Sequence, residues 1–269
     1  MQVTSLVLPV YNPGPQIERT YFAIRSFLRR RRSRWEAVFV LDGCTDGTCE
    51  RLSDLRRRAP EPRIQVLAFA ENRGKGHALR AGLLAARGAR RIFTDVDLAY
   101  GFRDILRVNA ALRRGAHVAV ASRDHHQSEL RLPARMLPYA LWRRVQSRCF
   151  GAMVRTMLPI AQRDTQAGLK GMQAAVAEAV LPQLHCDGFG FDCELLTACA
   201  RLRIDVDEVP VAVRFDDRRS TTNWRSTTSM IGEVLSIRRR WKHVDAALFD
   251  VTTPSSVRPQ TPELAPARP

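Results

Sequence analysis

Arg91-Ile92-Phe93-Thr94-Asp95-Val96-Asp97 is the stretch on which the reading of this chain turns. Its first four residues read as a short buried strand, which stops at two carboxylates in alternate positions. Alternate residues of an extended chain point the same way, so Asp95 and Asp97 can both reach toward one ligand. Two such charges side by side repel one another. One explanation is a hard divalent cation, Mg²⁺ or Mn²⁺, which takes oxygen ligands and leaves positions for phosphate. The other is a pair of turn or capping residues ahead of a helix starting near Phe102.

Working outward, the same alternation of short apolar runs and helical spacing recurs on both sides. Val3 to Val10, Glu36 to Leu41, Arg63 to Phe69 and Ala116 to Ala121 read as strands. Ile17 to Leu28, Thr48 to Arg58, a segment from Gly74 to about Arg87, and Phe102 to Arg113 have helical spacing. Strands alternating with helices of this length imply βαβ units, hence an α/β, Rossmann-like domain with a mostly parallel central sheet flanked by helices. Ligands of such sheets bind outside the carboxyl ends of the strands. The polar signals fall there: Asn12 after the first strand, Asp42 after the second, Asn72 to Gly76 after the third, Asp95 and Asp97 after the fourth.

Two of these signals carry chemistry of their own. Gly74-Lys75-Gly76 at a helix start can cradle phosphate through backbone N–H groups and the helix dipole, or it is a glycine-rich turn with a solvated lysine. It is not a Walker A loop, because no Gly-x4-Gly-Lys-Ser/Thr occurs. Asp42, with Gly43 and Asp46, can receive a base or a ribose hydroxyl, or it forms an Asx turn ahead of the helix from Thr48.

Bulk composition narrows the classes. A formal net charge of +16 attracts polyanions: nucleic acid, an anionic membrane surface or phosphorylated substrates. No zinc-finger, RNA-recognition or helix-turn-helix signature accompanies it, so a nucleic-acid partner is not expected. The six cysteines form no CxxC pair and have no zinc-type spacing, which fits reduced thiols in a cytosol. No apolar run approaches the roughly 20 residues that span a bilayer, and the N-terminus does not read as a signal peptide. A cytoplasmic protein, peripheral at most to the membrane, is the expectation.

The second half is less regular. Pro133 to Leu158 has helical spacing, with Trp142, Val145, Cys149, Met153 and Met157 on one stripe and Arg144, Arg148 and Arg155 opposite. Val206 to Phe215 alternates like a strand pair. Met230, Val234, Ile237 and Trp241 form a second stripe beside Arg238 to Arg240. Both stripes read either as core-packing faces or as basic amphipathic faces lying on a membrane. Residues 246–269, rich in Pro, Ser, Thr and Ala, read as a disordered tail.

Four motifs then fall in a telling order: Leu8-Pro9-Val10-Tyr11-Asn12, Leu41-Asp42-Gly43-Cys44-Thr45-Asp46-Gly47-Thr48, Glu71-Asn72-Arg73-Gly74-Lys75-Gly76 and Thr94-Asp95-Val96-Asp97-Leu98. Together they resemble the family 2 glycosyltransferases of GT-A fold. Asp164-Thr165-Gln166-Ala167-Gly168-Leu169-Lys170, Gly190-Phe191-Asp192-Cys193-Glu194-Leu195-Leu196, and Glu208-Val209-Pro210-Val211 followed by Arg219-Ser220 are similar to the dolichyl-phosphate β-glucosyltransferase and polyprenyl-phosphate glycosyltransferase branch. The resemblance covers about residues 3 to 240.

The resemblance implies a single GT-A domain over 1–224, with a nucleotide-sugar half at about 1–122 and an acceptor half at about 123–224. A basic amphipathic helix over 225–245 follows. It also implies an inverting, metal-dependent transfer from a UDP- or GDP-sugar to a polyprenyl phosphate or, alternatively, to a hydroxyl of a small molecule. Pro9, Tyr11 and Asn12 line the nucleotide pocket, and Asp42 contacts the base. Lys75 approaches base or phosphate, Asp95 the ribose and metal, and Asp97 the metal at the reacting centre. Asp164, Gln166, Lys170, Arg219 and Ser220 would contact substrate. Asp192 and Glu194 are the candidate bases for a hydroxyl acceptor, or else caps of the helix through Leu195 and Leu196. The family usually has an acidic residue where Leu41 stands and often one where Pro13 stands, which leaves the base open.

Overall fold

Every residue of β2 (Trp35–Asp42) is buried, as a central strand covered on both faces by helices must be. In the computed structural model, which describes residues 2–31, 34–131, 148, 150–214 and 224–242, β1 (Thr4–Val10), β3 (Ile64–Phe69) and β4 (Arg90–Phe93) run parallel to it. β5 (Val118–Ser122), β7 (Lys170–Gln173) and β8 (Val206–Pro210) complete a seven-stranded sheet in the order β3-β2-β1-β4-β7-β5-β8. β6 (Glu129–Arg131) and β9 (Ala212–Arg214) form a separate two-stranded parallel sheet.

Side chains alternate across the sheet and build a core on each face. Leu6, Leu8, Phe39 and Leu41 pack with α1 (Gln16–Arg30), α2 (Thr48–Arg58) and α4 (Gly101–Arg113). Val7, Val38 and Val40 face α3 (Lys75–Ala85), with a helix over 150–157 (α5), α6 (Ala174–Val180), α7 (Phe191–Arg201) and α8 (Trp224–Trp241) on the same side. The expected helices and parallel strands of the first 122 residues all form.

Two features of the second half depart from the sequence reading, and a third decides between its alternatives. β7 was not expected, since Lys170-Gly171-Met172-Gln173 shows no apolar alternation; it inserts antiparallel between β4 and β5. The strand pair expected over Val206 to Phe215 is no hairpin: β8 pairs with β5 and β9 with β6. The stripe Val234, Ile237 and Trp241 is spent on the core, so that face of α8 is not available to a membrane. Met153 and Met157 likewise pack against the core. Trp142, Arg144, Val145, Cys149 and residues 246–269 lie outside the described residues. Among the described residues no helix is long and apolar enough to cross a membrane.

Candidate active site

The antiparallel insertion of β7 has a direct consequence. Its first residue, Lys170, lies opposite Phe93 at the end of β4. Residues 164–169 are thereby delivered to the carboxyl edge of the parallel strands, beside Asp95. The turn itself is built from Asp95 and Asp97. The Leu98 amide donates to the Asp95 carbonyl at 3.1 Å, and the Ala99 amide to Asp97 Oδ1, also at 3.1 Å. Asp97 therefore caps the turn and remains exposed, so the capping and ligand readings are compatible.

Asp95 is held from two sides. Lys75 Nζ lies 2.7 Å from its Oδ1. Its Oδ2 rests where a β-carbon at Gly168 would sit, 2.0 Å away, so only glycine permits this approach. Burial works to lower the Lys75 pKa, but the charges of Asp95 and Asp192 outweigh it and hold the ammonium above its usual range. Partial desolvation by the surrounding loops and the neighbouring Asp95 charge push the Asp97 carboxyl up, although the side chain still meets solvent. That crowding is what a bound cation would relieve.

The loops after β1 and β2 are stitched together. Asn12 exchanges two hydrogen bonds with Thr45, and the Gly14 amide donates to Asp46 Oδ2 at 2.6 Å. Tyr11 stands 53% exposed beside half-buried Pro9, open to a planar ligand. Asp42 behaves otherwise than expected. It is buried, and its two oxygens accept the Arg73 and Gly74 amides at 3.0 and 2.8 Å. These two bonds give it a loop-fixing role, and each oxygen keeps one further acceptor position.

The phosphate cradle expected at Gly74-Lys75-Gly76 is likewise occupied by protein. The Gly76 amide donates to the Asp187 carbonyl at 2.7 Å, and the His77 amide to the same oxygen at 3.3 Å. A β-carbon on Gly74 would lie 2.3 Å from that oxygen, and one on Gly76 2.3 Å from the Cys186 carbonyl. These glycines admit the 186–188 segment, while the Lys75 side chain reaches Asp95.

In the second half, Asp164 grips Arg123. Its Oδ2 accepts from the Arg123 amide (3.0 Å) and Nε (2.7 Å), its Oδ1 from Nη2 (2.9 Å). Burial alone would raise the Asp164 carboxyl, but these donors hold it below the usual range. The buried Tyr100 hydroxyl, within hydrogen-bonding reach of the Gly168 backbone, feels the charges of Arg123, Asp164 and Asp95. Gln166 donates through Nε2 to Cys193 Sγ at 3.1 Å. Asp164 and Gln166 thus shape the pocket from behind.

Lys170 and Glu194 are not ligand-facing. Lys170 is fully buried, donating to the Ala167 carbonyl and to Asp192 Oδ1, each at 2.6 Å. A buried ammonium needs such partners, and having them it has no donor directed at solvent. Glu194 is also fully buried. It accepts the His185 and Cys186 amides on Oε2 and Arg240 Nη1 and Trp241 Nε1 on Oε1, fastening α8 to α7. With four donors in place it cannot serve as a base, which corrects that expectation. Asp192, at the first turn of α7, stays near enough to Lys75 to act on its charge. Arg219 and Ser220 lie outside the described residues.

Arg123 and Tyr100 went unnoticed in the sequence. Arg123 directly follows β5, and the strand-end rule applied to the other strands would have found it. Nothing local marks Tyr100; it enters through the turn that Asp95 and Asp97 build.

An α/β sheet with paired carboxylates and two held cations at its carboxyl edge has the arrangement of a ligand-binding α/β protein. Residues 5–181 match the model of Glycosyl transferase family 2, and the chain belongs to that family. A dolichyl-phosphate β-glucosyltransferase of Saccharomyces cerevisiae is 31% identical over 224 residues, 77% of this chain and 66% of that protein. The chain thus spans just under two thirds of that relative. The Drosophila melanogaster enzyme of the same name is 28% identical over 82% of this chain and 70% of its own. Among solved structures, glucosyl-3-phosphoglycerate synthase from Mycobacterium tuberculosis, in complex with Mn²⁺, UDP and glucosyl-3-phosphoglycerate, superposes with a TM-score of 0.61. It is 20% identical, over 88% of this chain and 80% of that one, and shares the fold.

Proposed function

We propose that this chain transfers a sugar, with inversion, from a nucleotide-diphosphate sugar to a polyprenyl-phosphate acceptor at a membrane surface. The observation that carries the donor side is the convergence of Asp97, the Lys75–Asp95 pair and the Asp164-held Arg123 at one sheet edge. Two fixed cations beside two carboxylates suit a metal-complexed diphosphate whose charge grows as it leaves. Tyr11 and Pro9 supply the nucleotide face. Relatives named for dolichyl-phosphate glucosyl transfer support the same reading.

The donor set fits a divalent metal. Among the described residues no three carboxylate, histidine or cysteine side chains form a closed cage. Mg²⁺ and Mn²⁺ in such sites use one or two carboxylates and complete their shell with phosphate and water. Asp95 and Asp97 would hold the ion, which when bound neutralises charge on the departing diphosphate.

The acceptor argument rests on the state of the candidate bases. A hydroxyl must lose a proton to attack, and Glu194 is unable to take it. A phosphate oxygen is already anionic and needs no base. It attacks the anomeric carbon from the face opposite the diphosphate; the new carbon–oxygen bond forms as the bond to the diphosphate breaks. Lys75 steadies the leaving phosphate, Arg123 orients the anionic partner, and Asp192 positions Lys75 through its charge. Asp192, the other candidate base, is buried and paired with Lys170 at 2.6 Å, which weighs in the same direction.

The test is transfer from labelled UDP-glucose and GDP-mannose to a short polyprenyl phosphate, with Mn²⁺ and with EDTA. Metal-dependent formation of a sugar-phosphate lipid is expected. Transfer to hydroxyl acceptors alone, with none to any polyprenyl phosphate, would reverse the acceptor assignment.

A further inference from the structure

The far end of α7 holds a second concentration of positive charge. Arg155 at the end of α5, Arg201 at the end of α7, and Arg238 and Lys242 at the end of α8 line one cavity of about 440 Å³, floored by Thr197 and Trp241. Among the described residues no carboxylate lines it. The neighbouring one, Glu194, is already taken by Arg240 and Trp241. Arg155 spends one guanidinium nitrogen on the Arg163 carbonyl at 3.1 Å. Arg201 Nε is buried with no hydrogen-bond partner among the described residues, a cost that a native structure leaves uncompensated only rarely.

Helix dipoles account for part of this charge. Three helix carboxyl ends meet at the cavity, and each contributes about −0.5 of a unit charge. Against four cations that leaves roughly +2.5, still unbalanced. A phosphate monoester carries about −1.5 to −2 with oxygens that accept several hydrogen bonds, and guanidinium groups match it geometrically.

We infer that this cavity, lined by Arg155, Arg201, Arg238 and Lys242, is a phosphate-binding site separate from the donor site. Asp192 and Arg201 are nine residues apart on α7, so the two sites lie roughly 14 Å from one another along its axis. The phosphate is either that of a free phosphorylated molecule or that of a lipid headgroup; both present the same chemistry to the cavity.

Two probes distinguish the sources. The first is inorganic phosphate, followed as the rise in melting temperature of the full chain over chloride at equal ionic strength. The second is co-sedimentation with phosphatidylcholine vesicles containing phosphatidic acid, against vesicles of phosphatidylcholine alone. Arg201→Gln/Arg238→Gln is expected to weaken whichever response occurs by about tenfold or more, since charge-assisted hydrogen bonds are lost. Arg123→Gln, which removes one of the donor site's two cations, is expected to preserve the response measured against that variant's own phosphate-free baseline. Response to phosphate alone assigns a free ligand, and response to vesicles assigns a headgroup. Should the double variant fold poorly, Lys242→Glu, at an exposed position, provides the same comparison. Absence of both responses in the wild-type chain, or responses that the cavity variants leave unchanged, would overturn the assignment.

Discussion

Replacing Gly168 by alanine separates the site's geometry from its stability. Gly168 has no positive φ, so its backbone accepts alanine without strain. The added methyl would stand 2.0 Å from Asp95 Oδ2, where ordinary contact begins at 3.4 Å. The carboxylate must therefore retreat by about 1.4 Å, abandoning the 2.7 Å pairing with Lys75. A misplacement of about 1 Å at a reacting centre costs on the order of 100-fold in rate, or ~2.7 kcal/mol of transition-state stabilisation. The fold loses little, because Asp95 is partly exposed and can relax into solvent: about 1 kcal/mol or less, a melting shift of roughly 2–4 °C. The assay is kcat/KM for sugar transfer, with donor affinity by titration calorimetry and thermal melting on the same samples. Wild-type kcat/KM in Gly168→Ala would refute the placement of Asp95. A rate loss matched by a comparable loss of folded protein would refute the claim that the effect is local.

Glu194→Ala should behave in the opposite way. Losing a fully buried acceptor of four donors should cost about 3–5 kcal/mol in urea denaturation, with kcat per folded molecule near wild type; a stable, inactive variant would restore Glu194 as a catalytic group. Lys170→Met should destabilise by a similar ~3–5 kcal/mol, because Asp192 is left buried and unpaired, and Lys170→Met/Asp192→Leu should recover part of that stability in the same measurement. Asp97→Ala should lower turnover by about 10³-fold and abolish metal-dependent donor binding; full activity of this variant in excess EDTA would remove the metal from the reading. Asp164 titrates lower folded than its unfolded value of 3.8, so its contribution is present above that pH and lost as pH falls through the folded value. The stability gap between wild type and Asp164→Asn should therefore be full at neutral pH and close in acid below about pH 4, and a gap that widens in acid would contradict the pairing with Arg123.

The first half of the fold was legible because its signals are local. β2 and β3 contain the apolar runs Ala37 to Leu41 and Val66 to Phe69, and α1 buries Ile17, Tyr21, Ile24 and Leu28 at helical spacing, so each element declares itself without knowledge of its neighbours. β7 could not be read that way. Its four residues become a strand because β4 and β5 leave a gap that fits them, and Gly171 packs directly against Val108 and Leu112 of α4.

The carboxylate pair shows where sequence and structure divide the work. Sequence alone placed Asp95 and Asp97 at a strand end, named Lys75 as a group approaching base or phosphate and brought Asp192 and Asp164 into view, since strand ends and motif order are linear properties of the chain. Which of these charges is already satisfied by protein groups was decided only by tertiary packing. Asp42, Lys170 and Glu194 have the same side-chain chemistry as Asp97 or Lys75, yet burial obliges each of them to satisfy its charge with protein groups. Asp97 stays exposed, while Asp95 is held between Lys75 and Gly168 of the 164–169 segment that an antiparallel strand delivers. A residue's type is written in one position of the sequence, but the partners that consume or spare its charge come from five or six others far along the chain.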